Sequence, residues 1–150
     1  MILGVGIDLV DLDEFARTLE RGGEKYTDHV YTVEEISYCR AQPHPIQHFA
    51  ARWAAKEGAI KALGISGAEG LKWVDFEIVS ESSGKPVMLL HGEAAVRSRA
   101  LTVTHIHVSL SHSRSASGAV VVVESSRRPR NTRQMNGKAP VGKIVQKGGL

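Results

Sequence analysis

A chain of 150 residues, 42% hydrophobic and 23% charged, is long enough for one domain with its own core, and its composition excludes wholesale disorder, collagen and coiled coil. No apolar run approaches the roughly 20 residues of a membrane span, and MILGVGIDLV, with no basic lead-in and Asp8 inside it, does not read as a secretory signal. The net charge of +3 divides unevenly: residues 1–125 hold 12 basic and 16 acidic side chains, net −4, whereas residues 126–150 hold seven basic ones and no acid, so the basic balance gives the folded part no nucleic-acid-binding character.

Residues 2–9 read as a strand in which Leu3, Val5, Ile7 and Leu9 alternate with Gly4, Gly6 and Asp8, leaving Asp8 near the strand end on the glycine-bearing face. Leu12, Phe15, Ala16 and Leu19 then recur at helical spacing, and Gly22-Gly23 predicts a stop. Thr32 and Glu35 form a capping box for a short helix through Ile36 and Cys39, ended by Pro43 and Pro45. Cys39 is the one cysteine, which excludes an internal disulfide and a Cys₄ or Cys₂His₂ zinc site and points to a reducing cytosol. Within its helix it reads as an inert, half-buried thiol.

The strongest helical pattern runs from about His48 to Leu63, with Gly64 as its C-cap. Phe49, Trp53, Ile60 and Leu63 make an apolar stripe, and Ala50, Ala51, Ala54, Ala55, Ala59 and Ala62 admit close neighbours. Trp73 to Ser80 reads as a strand, with Val74, Phe76 and Ile78 on one face and Asp75 and Glu77 on the other; Ser82 to Pro86 turns into a second strand, Val87 to Leu90. Gly92 to Leu101 is helical, and His105 to His112 alternates again with Ile106, Val108 and Leu110 inward. A polar turn, 113–117, leads to the apolar run Gly118 to Val123, which predicts a strand buried on both faces. This order defines an α+β fold with a mainly antiparallel sheet and segregated helices. It occupies residues 1–125; residues 126–150, rich in Arg, Lys, Gly, Pro and Gln, read as a disordered basic tail, either a solvated appendage or a tether.

Asp8, at the end of an apolar strand, reads either as a metal ligand or base or as an exposed strand-end acid. Glu57 and Lys61, at i and i+4, make a solvated helix ion pair on spacing alone. Lys56 falls inside the apolar stripe, where it either snorkels or offers a cation to a phosphate, and Arg52 precedes it by one turn. Three cations with one acid on a single helix suit a metal-bridged phosphate. His105 and His107 share a strand face while His112 falls on the other, an awkward arrangement for three-histidine zinc; His112 and Ser113, at a strand end, are better placed for ligand contact. No G-x-S-x-G, G-x-G-x-x-G or Walker A motif is present.

Four segments occur in a telling order: Gly4-Val5-Gly6-Ile7-Asp8, the block FAARWAAKEGAIKALG over Phe49–Gly64, Gly84-Lys85-Pro86, and HVSLSHS over His107–Ser113. Together they resemble the holo-[acyl-carrier-protein] synthases, the small bacterial 4′-phosphopantetheinyl transferases, over roughly residues 1–124. The resemblance implies that fold, and Mg²⁺-dependent transfer of phosphopantetheine from coenzyme A to a serine of apo acyl carrier protein in the cytoplasm, in support of fatty acid biosynthesis. It implies Mg²⁺ held by Asp8 and Glu57, with Lys61 near the transferring phosphate. It further implies Arg52, His112 and Ser113 at the nucleotide end of coenzyme A, Gly84, Lys85 and Pro86 beside the adenine, and a homotrimer with interfacial sites. The family's first helix usually offers basic residues to the acidic carrier; here that helix opens with Asp11, Asp13 and Glu14, leaving Arg17, Arg21 and Lys25 as carrier-docking candidates. No membrane and no specific nucleic acid is expected as partner. The alternative reading is a non-catalytic coenzyme A or nucleotide-binding module, which needs neither Asp8 nor Glu57.

Overall fold

The structure, a computed structural model, describes residues 1–65 and 70–126. The candidate basic tail therefore lies, beyond Ser126, outside the described residues. The central element is helix α3 (Pro45–Ala62), of whose 18 residues ten are buried, so it is covered on more than one side. It begins three residues earlier than its apolar pattern suggests. Pro45, expected to end the preceding helix, instead opens this one, because a first-turn proline lacks only an N–H that has no helical partner anyway. Gly64, at φ +62, closes it as expected.

Strands β1 (Ile2–Asp11), β5 (Ala116–Glu124) and β4 (His105–His112) form an antiparallel sheet in the order β1-β5-β4. The face of β1 turned to α3 is the glycine face. A Cβ at Gly4 would run into the Ala62 carbonyl and one at Gly6 into the Gly58 carbonyl, so glycine is what lets strand and helix backbones touch. The register sets Val121 opposite Gly6 and Val123 opposite Gly4, and both valines are buried. The other face of β1 carries Leu3, Val5, Ile7 and Leu9, which are 39%, 59%, 66% and 74% exposed, and Val120 continues this open apolar face on β5. The expectation that β5 is buried on both faces is thus corrected: within one chain, only its Ala119–Val121–Val123 face is covered.

Helix α1 (Leu12–Val30) and helix α2 (Val33–Arg40) pack against α3, and the hairpin β2 (Phe76–Ser80) with β3 (Pro86–Leu90) touches α3 and β4 and shares the core of the main sheet through Phe76, Ile78 and Met88. Helix α4 (Gly92–Ala100) follows the hairpin. Gly22-Gly23 interrupts α1 as expected, two helical segments meeting there across a kink. Gly23 takes φ 54, ψ −148, a conformation open to glycine, and helix resumes beyond it to Val30. The capping box at Thr32 and Glu35 is present as expected. Trp73–Asp75, expected to be strand, is a 3₁₀ turn, because the Asp75 carboxylate accepts from the Lys72 N–H. Cys39 is fully rather than half buried, and that burial pushes its thiol up to about 12, consistent with an inert role. The architecture is the expected α+β one, with antiparallel strands and segregated helices.

Candidate active site

Helix α3 carries two polar groups on different sides. The first lies where α3 meets the end of β1. Asp8 sits on the glycine face, opposite Ala119. Lys61 Nζ donates to Asp8 Oδ1 at 2.7 Å and to the Ile7 carbonyl at 3.1 Å. Lys61 thus pairs with Asp8, not with Glu57 one turn before it. The Glu57 carboxyl is raised above its ordinary range, first by burial and then by the like charge of Asp8, against the opposing pull of Lys61. Asp8, Glu57 and Lys61 therefore share one electrostatic site, although Asp8 is about 50 residues from the other two. The Lys61 and Asp8 side chains are 49% and 19% exposed. A solvent-screened pair of this kind contributes little to stability and remains open to a ligand.

This donor set fits a magnesium ion. Two carboxylates supply hard oxygens, and no cluster of three His, Cys, Asp or Glu side chains occurs among the described residues. Mg²⁺ is commonly held by one or two carboxylates, its remaining positions being filled by water and substrate phosphate.

The second group lines a cavity of about 360 Å³ between α3, the β2–β3 turn and β4. Arg52, Gly84, Lys85, Pro86 and His112 converge on it from separate segments. Arg52 is 2% exposed; its guanidinium lies 4.1 Å over the Tyr38 ring, and one terminal nitrogen donates to Ser80 Oγ at 3.3 Å. Its Nε is buried and has no partner, and no carboxylate among the described residues forms a salt bridge with Arg52. The lining holds two fixed cations and two histidines but no acid. A buried, unneutralised guanidinium facing an acid-free cavity is an anion-binding arrangement.

Ser113 does not line this cavity. Its hydroxyl accepts from the Ser115 and Ala116 N–H groups and so builds the turn after β4. Tyr38, His48 and Ser80 do line it, and sequence reasoning missed all three. His48 had a readable signal, since it lies four residues before Arg52 and hence on the same helix face. Tyr38 and Ser80 arrive through tertiary packing alone.

Lys56 requires a correction. It neither snorkels nor offers its charge to a ligand: it is fully buried, and Nζ donates to Glu35 Oε2 at 2.8 Å and to the Trp73 and Phe76 carbonyls at 3.1 and 2.6 Å. Glu35 Oε1 accepts from the Ile78 N–H and Oε2 from the Thr32 N–H, while Thr32 Oγ1 donates to Glu77. The network ties α2, α3 and β2 together. Burial pulls the Lys56 ammonium down, and Glu35 opposes that pull. The carrier-docking candidates Arg17, Arg21 and Lys25 are exposed on α1, with Arg21 Nε donating to the Arg17 carbonyl at 3.2 Å and Lys25 beyond the Gly23 kink.

The model of the 4′-phosphopantetheinyl transferase superfamily matches residues 4–121. The holo-[acyl-carrier-protein] synthase of Solibacter usitatus is 41% identical over 112 residues, covering 70% of this chain and 90% of that protein. Among solved structures, the Neisseria meningitidis synthase superposes with a TM-score of 0.75 at 28% identity, covering 83% of this chain and all of the other. The Helicobacter pylori synthase, solved in complex with coenzyme A, gives 0.70 at 25% identity, covering 80% of this chain and 99% of the other. The chain belongs to the 4′-phosphopantetheinyl transferase superfamily, and the relatives named here are all holo-[acyl-carrier-protein] synthases.

Proposed function

We propose that this chain transfers the 4′-phosphopantetheine group of coenzyme A to a serine of an apo acyl carrier protein, releasing adenosine 3′,5′-bisphosphate. The observation that carries this reading is the meeting of Asp8, from β1, with Glu57 and Lys61 of the helix that also anchors a cationic, acid-free cavity. In this reading the cavity takes the nucleotide end. Arg52, Lys85 and His112 face its phosphates, Gly84 and Pro86 border the base, and Ser113 shapes the adjoining turn. Asp8 and Glu57 would hold Mg²⁺, which when bound neutralises and orients the pyrophosphate as its bond breaks. Lys61, held by Asp8, is the cation available to developing charge on the leaving phosphate. Glu57, whose carboxyl is raised, is our candidate to take the proton of the carrier serine. A non-catalytic nucleotide-binding module would use the cavity equally well but leaves the Asp8–Glu57 pair without a role.

We further propose that residues 1–125 are the transferase domain, that the reaction is cytoplasmic, and that the chain works as a homotrimer. No helix among the described residues is long and apolar enough to cross a membrane. The trimer reading is supported by the apolar outer face of Leu3, Val5, Ile7, Leu9 and Val120, too apolar a surface to suit water. It is also supported by the helical geometry of α3, on which Arg52 and Glu57 lie about 140° apart, so that a second chain could bring one group to the other. Arg17, Arg21 and Lys25 are the proposed contacts of the carrier, whose recognition needs a basic surface.

The test is to mix the protein, an apo carrier, coenzyme A and Mg²⁺ and to weigh the carrier. A gain of one phosphopantetheine group is the expected result. No gain, with folded protein and several carriers tried, overturns the assignment.

A further inference from the structure

The cavity contains a titratable side chain to which no role has yet been given. His48 lines it from α3, one turn before Arg52. Its ring lies between two others: Tyr38 of α2, edge-on at 5.8 Å between centroids, and His112 of β4 at 6.3 Å. It is neither buried nor free, and its imidazole makes no hydrogen bond to the described residues. The charged groups around it are all cationic or able to become so. Arg52 and His44 face it from α3 and its N-cap, His112 faces it from β4, and Lys85 looks into the same cavity from the β2–β3 turn. Tyr38 contributes a neutral ring and the cavity lining contributes no carboxylate.

We propose that His48 is a specificity-determining phosphate ligand of this cavity and that it enters the complex as an imidazolium, so that a nucleotide bearing a phosphomonoester is bound together with a proton. The inference rests on the reading that the cavity takes the nucleotide end of coenzyme A. In the empty protein, burial and then the charges of Arg52, His112 and His44 hold the His48 imidazole neutral. A phosphomonoester dianion inverts the sign of that environment. It supplies acceptor oxygens and negative charge among the surrounding cations and makes the protonated ring the favoured form. A ligand lacking the monoester, with only the pyrophosphate, gives His48 no such partner. His48 would therefore act in discrimination as well as in affinity.

The experiment is isothermal titration calorimetry of the full chain at pH 7 in two buffers of different ionisation enthalpy, which reads proton uptake directly. Coenzyme A and 3′-dephospho-coenzyme A are the probes. For wild-type protein, coenzyme A should bind with net uptake of a large fraction of one proton per site, and the dephospho compound with little. His48→Gln should abolish most of that uptake. It should weaken coenzyme A by about tenfold at pH 6.5 and by about twofold or less at pH 8.5, since each unit of pKa displacement corresponds to tenfold in affinity. The ligand's own second phosphate ionisation, near 6, enters wild type and variant alike at pH 6.5 and is removed by comparing the two. Uptake that survives His48→Gln but disappears in His112→Gln overturns the assignment to His48. So does an unchanged affinity ratio between the two probes. If Arg52→Ala leaves coenzyme A binding intact, the cavity is not the nucleotide site and both readings fail together; if Arg52→Ala weakens it while His48→Gln changes nothing, only the present one does.

Discussion

Lys56 and Lys61 stand five residues apart on one helix and are used in opposite ways. Lys56 is sealed inside, with a carboxylate and two carbonyls as permanent partners. Lys61 lies at the surface, its one carboxylate partner itself part-exposed and electrostatically coupled to a second carboxylate. Arg52 is intermediate: buried like Lys56, yet with an unpartnered nitrogen and no acid. The difference teaches that burial alone does not mark a structural charge. What marks it is saturation of its hydrogen-bonding capacity, and by that criterion Lys56 belongs to the fold while Arg52 and Lys61 are left for ligands.

The sharpest way to break the comparison is to remove the saturated charge. Lys56→Ala leaves the Glu35 carboxylate buried with one partner fewer, and it should destabilise the fold by about 3–5 kcal/mol, the range for halving a buried ion pair. Glu35→Leu with Lys56→Met should recover part of that loss, because the pair itself is close to neutral against apolar packing. Urea denaturation measures both. A single-variant loss below about 1 kcal/mol would mean that Lys56 is as dispensable to the fold as Lys61.

The converse holds at the open group. Asp8→Ala and Glu57→Ala should each lower kcat/KM by about 10²-fold or more, as loss of an oxygen ligand from a phosphoryl-transfer site does, with the melting temperature nearly unchanged. Chelation with EDTA should act in the same direction on wild-type protein. Full turnover by either variant in EDTA-treated buffer refutes the metal role.

Much of this contrast was legible in the sequence, and the missing part has a physical pattern. Local signals survived: the Thr32–Glu35 capping box, the alternation of β4 and the Gly64 cap are all one-segment features. The alternation in β1 was also legible, but not which face is inner. That depends on α3 presenting Gly58 and Ala62, small enough for backbone to meet backbone. Lys56 was misread because its partner, Glu35, lies 21 residues away on another helix and doubles as a capping residue. The acids that open α1 looked like a departure from a basic docking surface. Asp11 accepts from the Glu14 N–H as N-cap, and Asp13 and Glu14 occupy the first turn, where the helix dipole favours negative charge. They thus serve the helix and leave its middle and C-terminal half to Arg17, Arg21 and Lys25.

That division gives the next, smaller effect. Arg21→Glu should raise the carrier KM about tenfold, replacing an attractive rim charge by a repulsive one, and leave the coenzyme A KM unchanged. Added salt should raise the wild-type carrier KM, since exposed charges are screened over about 10 Å at 0.1 M. If Arg21→Glu is silent while deletion of residues 126–150 raises the carrier KM, docking belongs to the tail rather than to α1.

The smallest expected effect sharpens the contrast through pH. The Glu57 carboxyl is raised in the folded protein, chiefly by burial and by Asp8, so the fold favours its protonated form. Such a group contributes stability that is present below its ordinary carboxylate pKa and is lost as pH rises through the raised value. Glu57→Gln fixes a neutral group in its place. In EDTA, the wild-type protein should therefore lose stability relative to Glu57→Gln between about pH 4.5 and 7, by less than about 1 kcal/mol, because the site is open to solvent screening. Mg²⁺ should reverse the order at pH 7, since a divalent cation rewards the ionised pair and the variant offers it one carboxylate fewer. Thermal melts of the two proteins across this range, with and without Mg²⁺, give both comparisons. Parallel curves in EDTA would mean that Asp8 and Glu57 do not sense each other. Coincident shifts with Mg²⁺ would mean that the ion, if it binds, binds elsewhere.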